Sequence, residues 1–212
     1  MSVAAVSASL NRTETGLRHS AVVRITHWIV VLSVVGLLVS GIGILISHPR
    51  LYWGETGYVG GDSLIDVPIP FVIGPSVWNR PIHFFFAWIL TLAGLAYVAY
   101  GFITRHFRND LAPNATGTYN VMQRLAYLAV VFALFPAIFW TGLAMSFGVT
   151  SVFPVMAVAL GGHQSARTLH FAFVAVLLLF VVVHVWMVYI DGFVNNVRAM
   201  ITGRLSPERN SR

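Results

Sequence analysis

His170 and His184 lie 14 residues apart in one apolar stretch, RTLHFAFVAVLLLFVVVHVWMV, residues 167–188. A ring nitrogen held in hydrocarbon needs a partner, so an ionisable side chain there is a functional candidate. At 1.5 Å and 100° per residue, a helix returns the second histidine to within roughly 40° of the first and carries it about 21 Å along the axis. The two therefore share a side of the helix, one near each membrane surface. His27 in RITHW and His83 in NRPIHFFFAW stand in two further apolar stretches.

Two neutral imidazoles make a poor zinc site, because zinc usually takes four ligands. No carboxylate lies inside these stretches to complete one. A planar haem brings four equatorial nitrogens of its own and asks the protein only for axial ligands. Iron ligated on both faces by histidine has no open position, so it moves electrons rather than binding a substrate. The chain has no cysteine, which excludes disulfides, Cys-ligated iron–sulfur clusters and covalent haem attachment.

Four segments are long and apolar enough to position these residues across a bilayer, which takes roughly 20 residues. They run near 25–46, 81–104, 120–146 and 167–190, with a long loop at 47–80 and a tail at 191–212. The composition agrees: 57% hydrophobic and only 9% charged residues, with mean hydropathy +0.78, against about 25% charged in soluble domains. The expected fold is all-α, an integral membrane four-helix bundle forming a single domain over residues 1–212. Arg12, Arg18 and Arg24 precede the first span without a separate apolar run, so no cleaved signal peptide is expected.

Arginine distribution predicts orientation. Arg12, Arg18, Arg24, Arg105, Arg108, Arg124, Arg198, Arg204, Arg209 and Arg212 fall on one side; Arg50, Arg80 and Arg167 fall on the other. Both termini are therefore expected in the cytoplasm, with 47–80 and 147–166 outside. Helix rise then places His27 level with His184 near the inner surface, and His83 level with His170 near the outer one. Four histidines from three helices form two pairs at two depths. A net charge of +6 carried by arginine alone suits anionic headgroups rather than nucleic acid.

Other residues have roles only relative to these pairs. Gly41 lies 14 positions beyond His27, and Gly94 lies 11 beyond His83, where a macrocycle passing near the backbone leaves no room for a side chain. Arg18, Arg24 and Arg124 at the inner level, and Arg80 and Arg167 at the outer, suit haem propionates through charge-assisted hydrogen bonds. Asn120 and Gln123 share a helix face, and amides can both donate to quinone carbonyls and accept from quinol hydroxyls. His19, His48, His106 and His163 fall in loops or at span borders and are read as solvated or interfacial. Pro136 is expected to kink the third span. The tail GFVNNVRAMITGRL is expected to form a short amphipathic helix on the inner surface.

RITHW, the His83 segment, and ARTLHF followed by VVHVWM resemble the di-haem cytochrome b membrane subunits of nickel–iron hydrogenases, formate dehydrogenases and thiosulfate reductases, a grouping that includes bacterial cytochrome b561. The likeness runs from HSAVVRITHW to VRAMITGR. SHPRLYWG, YNVMQRLAY and TGLAMS are similar to the thiosulfate reductase cytochrome b subfamily. The resemblance implies two b haems, ligated by His27 with His184 and by His83 with His170, in a multi-pass protein of the bacterial inner membrane. It implies electron transfer in a respiratory chain between the quinone pool and a periplasmic molybdopterin oxidoreductase, with quinone beside the inner haem. An alternative within the same grouping is a stand-alone superoxide:quinone oxidoreductase.

Overall fold

A computed structural model of the chain describes residues 20–56, 62–69, 77–105, 107 and 121–204. Arg18, His19, His106 and Asn120 lie outside the described residues. Helix α1 is Ala21–Ser47, a two-residue antiparallel ladder joins β1 (Arg50–Leu51) to β2 (Ile65–Asp66), and α2 is Asn79–Ile103. The third span comprises α3 (Val121–Ala129), a π-helical turn at Val130–Leu134, and α4 (Phe135–Ala144). Two one-turn helices follow, α5 (Phe147–Thr150) and α6 (Val155–Val158), then α7 (His163–Ile190) and α8 (Phe193–Thr202). Four of these stretches, Ala21–Ser47, Asn79–Ile103, Met122–Ala144 and His163–Ile190, are long and apolar enough to cross a membrane. Among the described residues the bundle is all-α apart from the small ladder.

The helix surfaces carry large apolar side chains outward, Leu32, Val39, Leu92 and Leu179 among them. Water would penalise such a surface; lipid does not. Most buried positions within the spans are instead small, Ser33, Ser40, Thr141, Ala144, Ser165 and Ala166 among them. Small residues let helix backbones approach where no hydrophobic drive exists between helix and lipid. The hydroxyls of Thr26, Ser33, Ser40 and Thr141 each donate to the carbonyl four residues back, which satisfies them without breaking the helix.

Backbones approach closely within two helix pairs, α1 with α2 and α4 with α7; among the described residues, contact between the pairs is sparse. Gly36 brings α1 so near α2 that a Cβ there would run into the Phe86 ring. Longer side chains bridge the two pairs, among them Trp88 with Phe139 and Phe102 with Phe132, ring centres 6.2 Å apart in both cases.

The boundaries differ from the sequence expectation at one informative place. α7 begins at His163, four residues before the expected 167. Its exposed N–H groups are capped by loop residues distant in sequence: Gly54 O accepts from Gln164 and Ser165 N–H, and the Glu55 carboxylate accepts from His163 N–H. Gly162, with φ +112°, makes the turn, and a Cβ on it would lie 2.6 Å from the Gly54 carbonyl carbon. Ser165 Oγ accepts from Gly54 N–H at 2.7 Å, Thr168 Oγ1 donates to Tyr52 O at 2.6 Å, and Arg167 donates to His48 O. The first part of the long loop is thus tied to the start of α7, with Leu51 beneath it at 1% exposure.

Pro136 does not act alone on the third span. It lacks an N–H and interrupts the regular ladder, and the turn before it widens into a π-helix that Phe135 N–H closes on Val130 O. Such turns relieve strain inside long helices and recur at functional sites. At the other end of the bundle, α8 is fastened to α1: Arg24 donates to Ile201 O at 2.7 Å and Trp28 Nε1 to Met200 O at 3.2 Å. A guanidinium at the carbonyl end of a helix also matches the sign of its dipole.

Candidate cofactor site

His27 on α1 faces His184 on α7, ring centres 6.5 Å apart; His83 on α2 faces His170 on α7, ring centres 6.3 Å apart. All four rings are half-buried. Each pair joins helices that belong to different closely packed pairs, so the histidines reach across the interval where backbone contact is sparse. One pair lies toward the end that bears the long loop, and the other toward the end that bears α8.

A metal–imidazole bond of about 2.0 Å, added to the roughly 1.2 Å from ring nitrogen to ring centre and doubled, puts two rings on opposite sides of one ion about 6.4 Å apart. Both observed separations fit. Among the described residues no three of His, Asp or Glu gather into one metal-holding group. Each pair can supply two nitrogens and no more, which suits a metal carrying its own equatorial donors.

The loop-end rings are held by hydroxyls of their own helix pair. Ser40 Oγ on α1 is 3.0 Å from His83 Nδ1, and Thr141 Oγ1 on α4 is 2.9 Å from His170 Nδ1. Ser40 spends its own proton on Gly36 O at 2.7 Å, and Thr141 on Ala137 O at 2.9 Å. With its proton on a helix carbonyl, each hydroxyl can accept from the ring, an arrangement in which Nδ1 carries the proton and Nε2 the lone pair. Ile138 O, 3.1 Å from His170 Nδ1, requires the same tautomer, because a carbonyl can only accept. At the tail end the surroundings are aromatic. Phe180 stacks on His184 at 5.8 Å and 15°, Tyr127 meets it edge-on at 6.1 Å, and Trp28 meets His27 edge-on at 5.4 Å.

The remaining candidates are placed unevenly. Gly41 faces His83: a Cβ there would sit 3.4 Å from Cε1. Gly94 looks onto open space. Arg124 is buried, 4% exposed, on the first turn of the third span beside half-buried Gln123. Arg24 uses one guanidinium nitrogen to hold α8, a use the sequence did not announce. Arg80 and Arg167 lie near enough to His48 for their charges, after partial burial, to lower its pKa. His163, read as interfacial, stacks on Phe147 at 5.0 Å and its Nε2 lies 3.1 Å from Met145 O.

Ser40, Thr141, Gly142, Tyr127 and Phe180 also border the histidine rings, and none was among the residues expected there. A signal for three of them was present. Ser40-Gly41 and Thr141-Gly142 are the same hydroxyl–glycine dipeptide on two spans, and Gly142 faces His170 as Gly41 faces His83.

The family model described as prokaryotic cytochrome b561 matches residues 18–203. A protein of Azospira oryzae named as a putative protein-methionine-sulfoxide reductase subunit, YedZ1, is 29% identical, over 80% of this chain and 89% of its own length. No solved structure matches the chain. Four apolar spans, paired histidines and a match over nearly the whole length lead to one conclusion: this chain belongs to the prokaryotic cytochrome b561 family of b-type membrane electron carriers.

Proposed function

We propose that the chain is the di-haem membrane subunit of a reductase system, taking electrons from quinol and passing them to a partner oxidoreductase at the loop end. The carrying observation is the two histidine pairs at two levels, His27 with His184 and His83 with His170, each spaced for one metal ion. These four residues are the ones that would hold two b haems. When bound, the haems supply reversible one-electron transfer. The protein supplies ligands, spacing and an apolar surround that sets potential.

Arg124 at the tail end, and Arg80 and Arg167 at the loop end, are proposed to pair with propionates; Arg24 and Arg18 are further candidates at the tail end. Gln123, with Asn120 three positions before it, is proposed to bind quinone through its amide. The arginine count supports a cytoplasmic tail end and a periplasmic loop end in the bacterial inner membrane. The partner class follows from the Azospira oryzae relative, named as a reductase subunit. A molybdopterin oxidoreductase docked at the loop end is the proposed form.

The test is reduction of the haem-loaded chain by a short-chain quinol in nanodiscs, followed in the visible haem bands. Rapid reduction, slowed in Gln123→Ala with haem content unchanged, is expected. Failure of quinol to reduce the chain would overturn the quinone link. Fast reduction by superoxide, with electrons passing on to quinone, would favour the stand-alone superoxide:quinone oxidoreductase instead.

A further inference from the structure

We infer that Ser40-Gly41 and Thr141-Gly142 are two copies of one positioning device that fixes the tautomer and aim of the loop-end histidines and thereby holds the potential of one haem down. The inference rests on the ligand assignment above and goes beyond it. In each copy the hydroxyl lies within hydrogen-bond distance of a histidine Nδ1, at 3.0 Å for Ser40 and 2.9 Å for Thr141. In each, the next residue is a glycine whose missing Cβ would stand beside Cε1 of that same ring, at 3.4 Å for Gly41 and 3.5 Å for Gly142. The two copies sit on different spans, α1 and α4, and serve histidines on their respective packing partners, α2 and α7.

The hydroxyls cannot be ordinary buried polar groups looking for a donor. Each already donates to a helix carbonyl and is 1–3% exposed, so its remaining capacity is to accept. Accepting from Nδ1–H, a role Ile138 O shares at His170, restrains the ring about its Cβ–Cγ bond and leaves on Nε2 the lone pair a metal would take. It also raises electron density on the ring, because a ligand imidazole whose far N–H is hydrogen-bonded is the more basic ligand. A more basic axial ligand favours the oxidised, more positively charged iron and lowers the potential. The glycines hold nothing, but they keep the Cε1 edge clear. At 3.4–3.5 Å an alanine methyl would be accommodated, whereas a larger side chain would have to turn the ring.

The tail-end pair is built differently, with Phe180 and Tyr127 against His184. Removing the loop-end hydroxyls should therefore move one potential and not the other. The experiment is a spectroscopic redox titration of the haem-loaded full chain, as wild type and as Ser40→Ala, Thr141→Val, Thr141→Ser and His83→Ala. Ser40→Ala and Thr141→Val are expected to keep both haems and shift one midpoint upward, that of the haem lost in His83→Ala. Thr141→Ser, which keeps the hydroxyl, is expected to titrate as wild type. The inference is overturned if neither midpoint rises, if both rise together, or if Thr141→Ser behaves as Thr141→Val. Should Ser40→Ala fail to load, the Thr141 pair of variants decides alone. If His83→Ala loses no haem, the ligand assignment itself fails. If it loses one and the hydroxyl variants do not move that midpoint, only the positioning device fails.

Discussion

His83 and His170 face each other at 6.3 Å from helices that belong to different packing pairs, and each ring is steadied by a hydroxyl from its own pair. The interval between the pairs is thus bridged at the loop end by two restrained imidazole rings. The same interval is bridged at the tail end by His27 and His184.

The loop that braces α7 depends on Gly162. Its φ is +112°, and a side chain there would meet the Gly54 backbone at 2.6 Å. Gly162→Ala should lower stability by about 1–3 kcal/mol and reduce the midpoint of thermal unfolding in detergent. An unchanged midpoint would show that the loop does not brace the helix.

The tail helix is held by Arg24 and Trp28. Trp28→Phe keeps an aromatic side chain but removes the indole N–H, and the lost hydrogen bond costs about 1 kcal/mol. Limited proteolysis should then cut residues 191–204 sooner than in wild type, while the haem content stays the same. Equal cutting rates would dismiss the latch.

His48 gives a pH dependence of known sign. Partial burial, then the charges of Arg167 and Arg80, hold its pKa below 6.5. The folded chain therefore binds fewer protons here than the unfolded one. Its stabilising effect is complete above about pH 6.5 and is lost as pH falls through the unfolded value toward the lowered folded one. His48→Gln should lose less stability than wild type between pH 7.5 and pH 5, read as the change in unfolding midpoint. Equal losses would assign the dependence elsewhere.

Arg124 is buried beside Gln123 at the start of the third span. Arg124→Gln should weaken retention of one haem, seen as a lower haem-to-protein ratio after extended washing, whereas Gln123→Ala should leave that ratio intact. Identical behaviour of the two variants would remove the distinction between propionate and quinone residues.

The spans and the histidine pairs were legible in the sequence because hydropathy and helix rise are local properties. The four helices lie within a few residues of their expected ranges, and His27 with His184 and His83 with His170 meet as depth matching required. What was not legible depends on partners far along the chain. The start of α7 at His163 is set by Gly54 and Glu55, more than a hundred residues earlier. The use of Arg24 is set by a carbonyl 177 residues away. Ser40 and Thr141 look like ordinary helix-bonded hydroxyls until the neighbouring helix brings a ring to each. Only the repeated glycine after them hinted at more.

The central claim is that the histidine pairs hold two haems. It is tested most directly by the haem-to-protein ratio and dithionite-reduced spectrum of wild type and His184→Ala. Two b haems in wild type and one in the variant are predicted, the lost haem being the tail-end one. Two haems in the variant would contradict the pairing, and a well-folded wild type without haem would contradict the account as a whole.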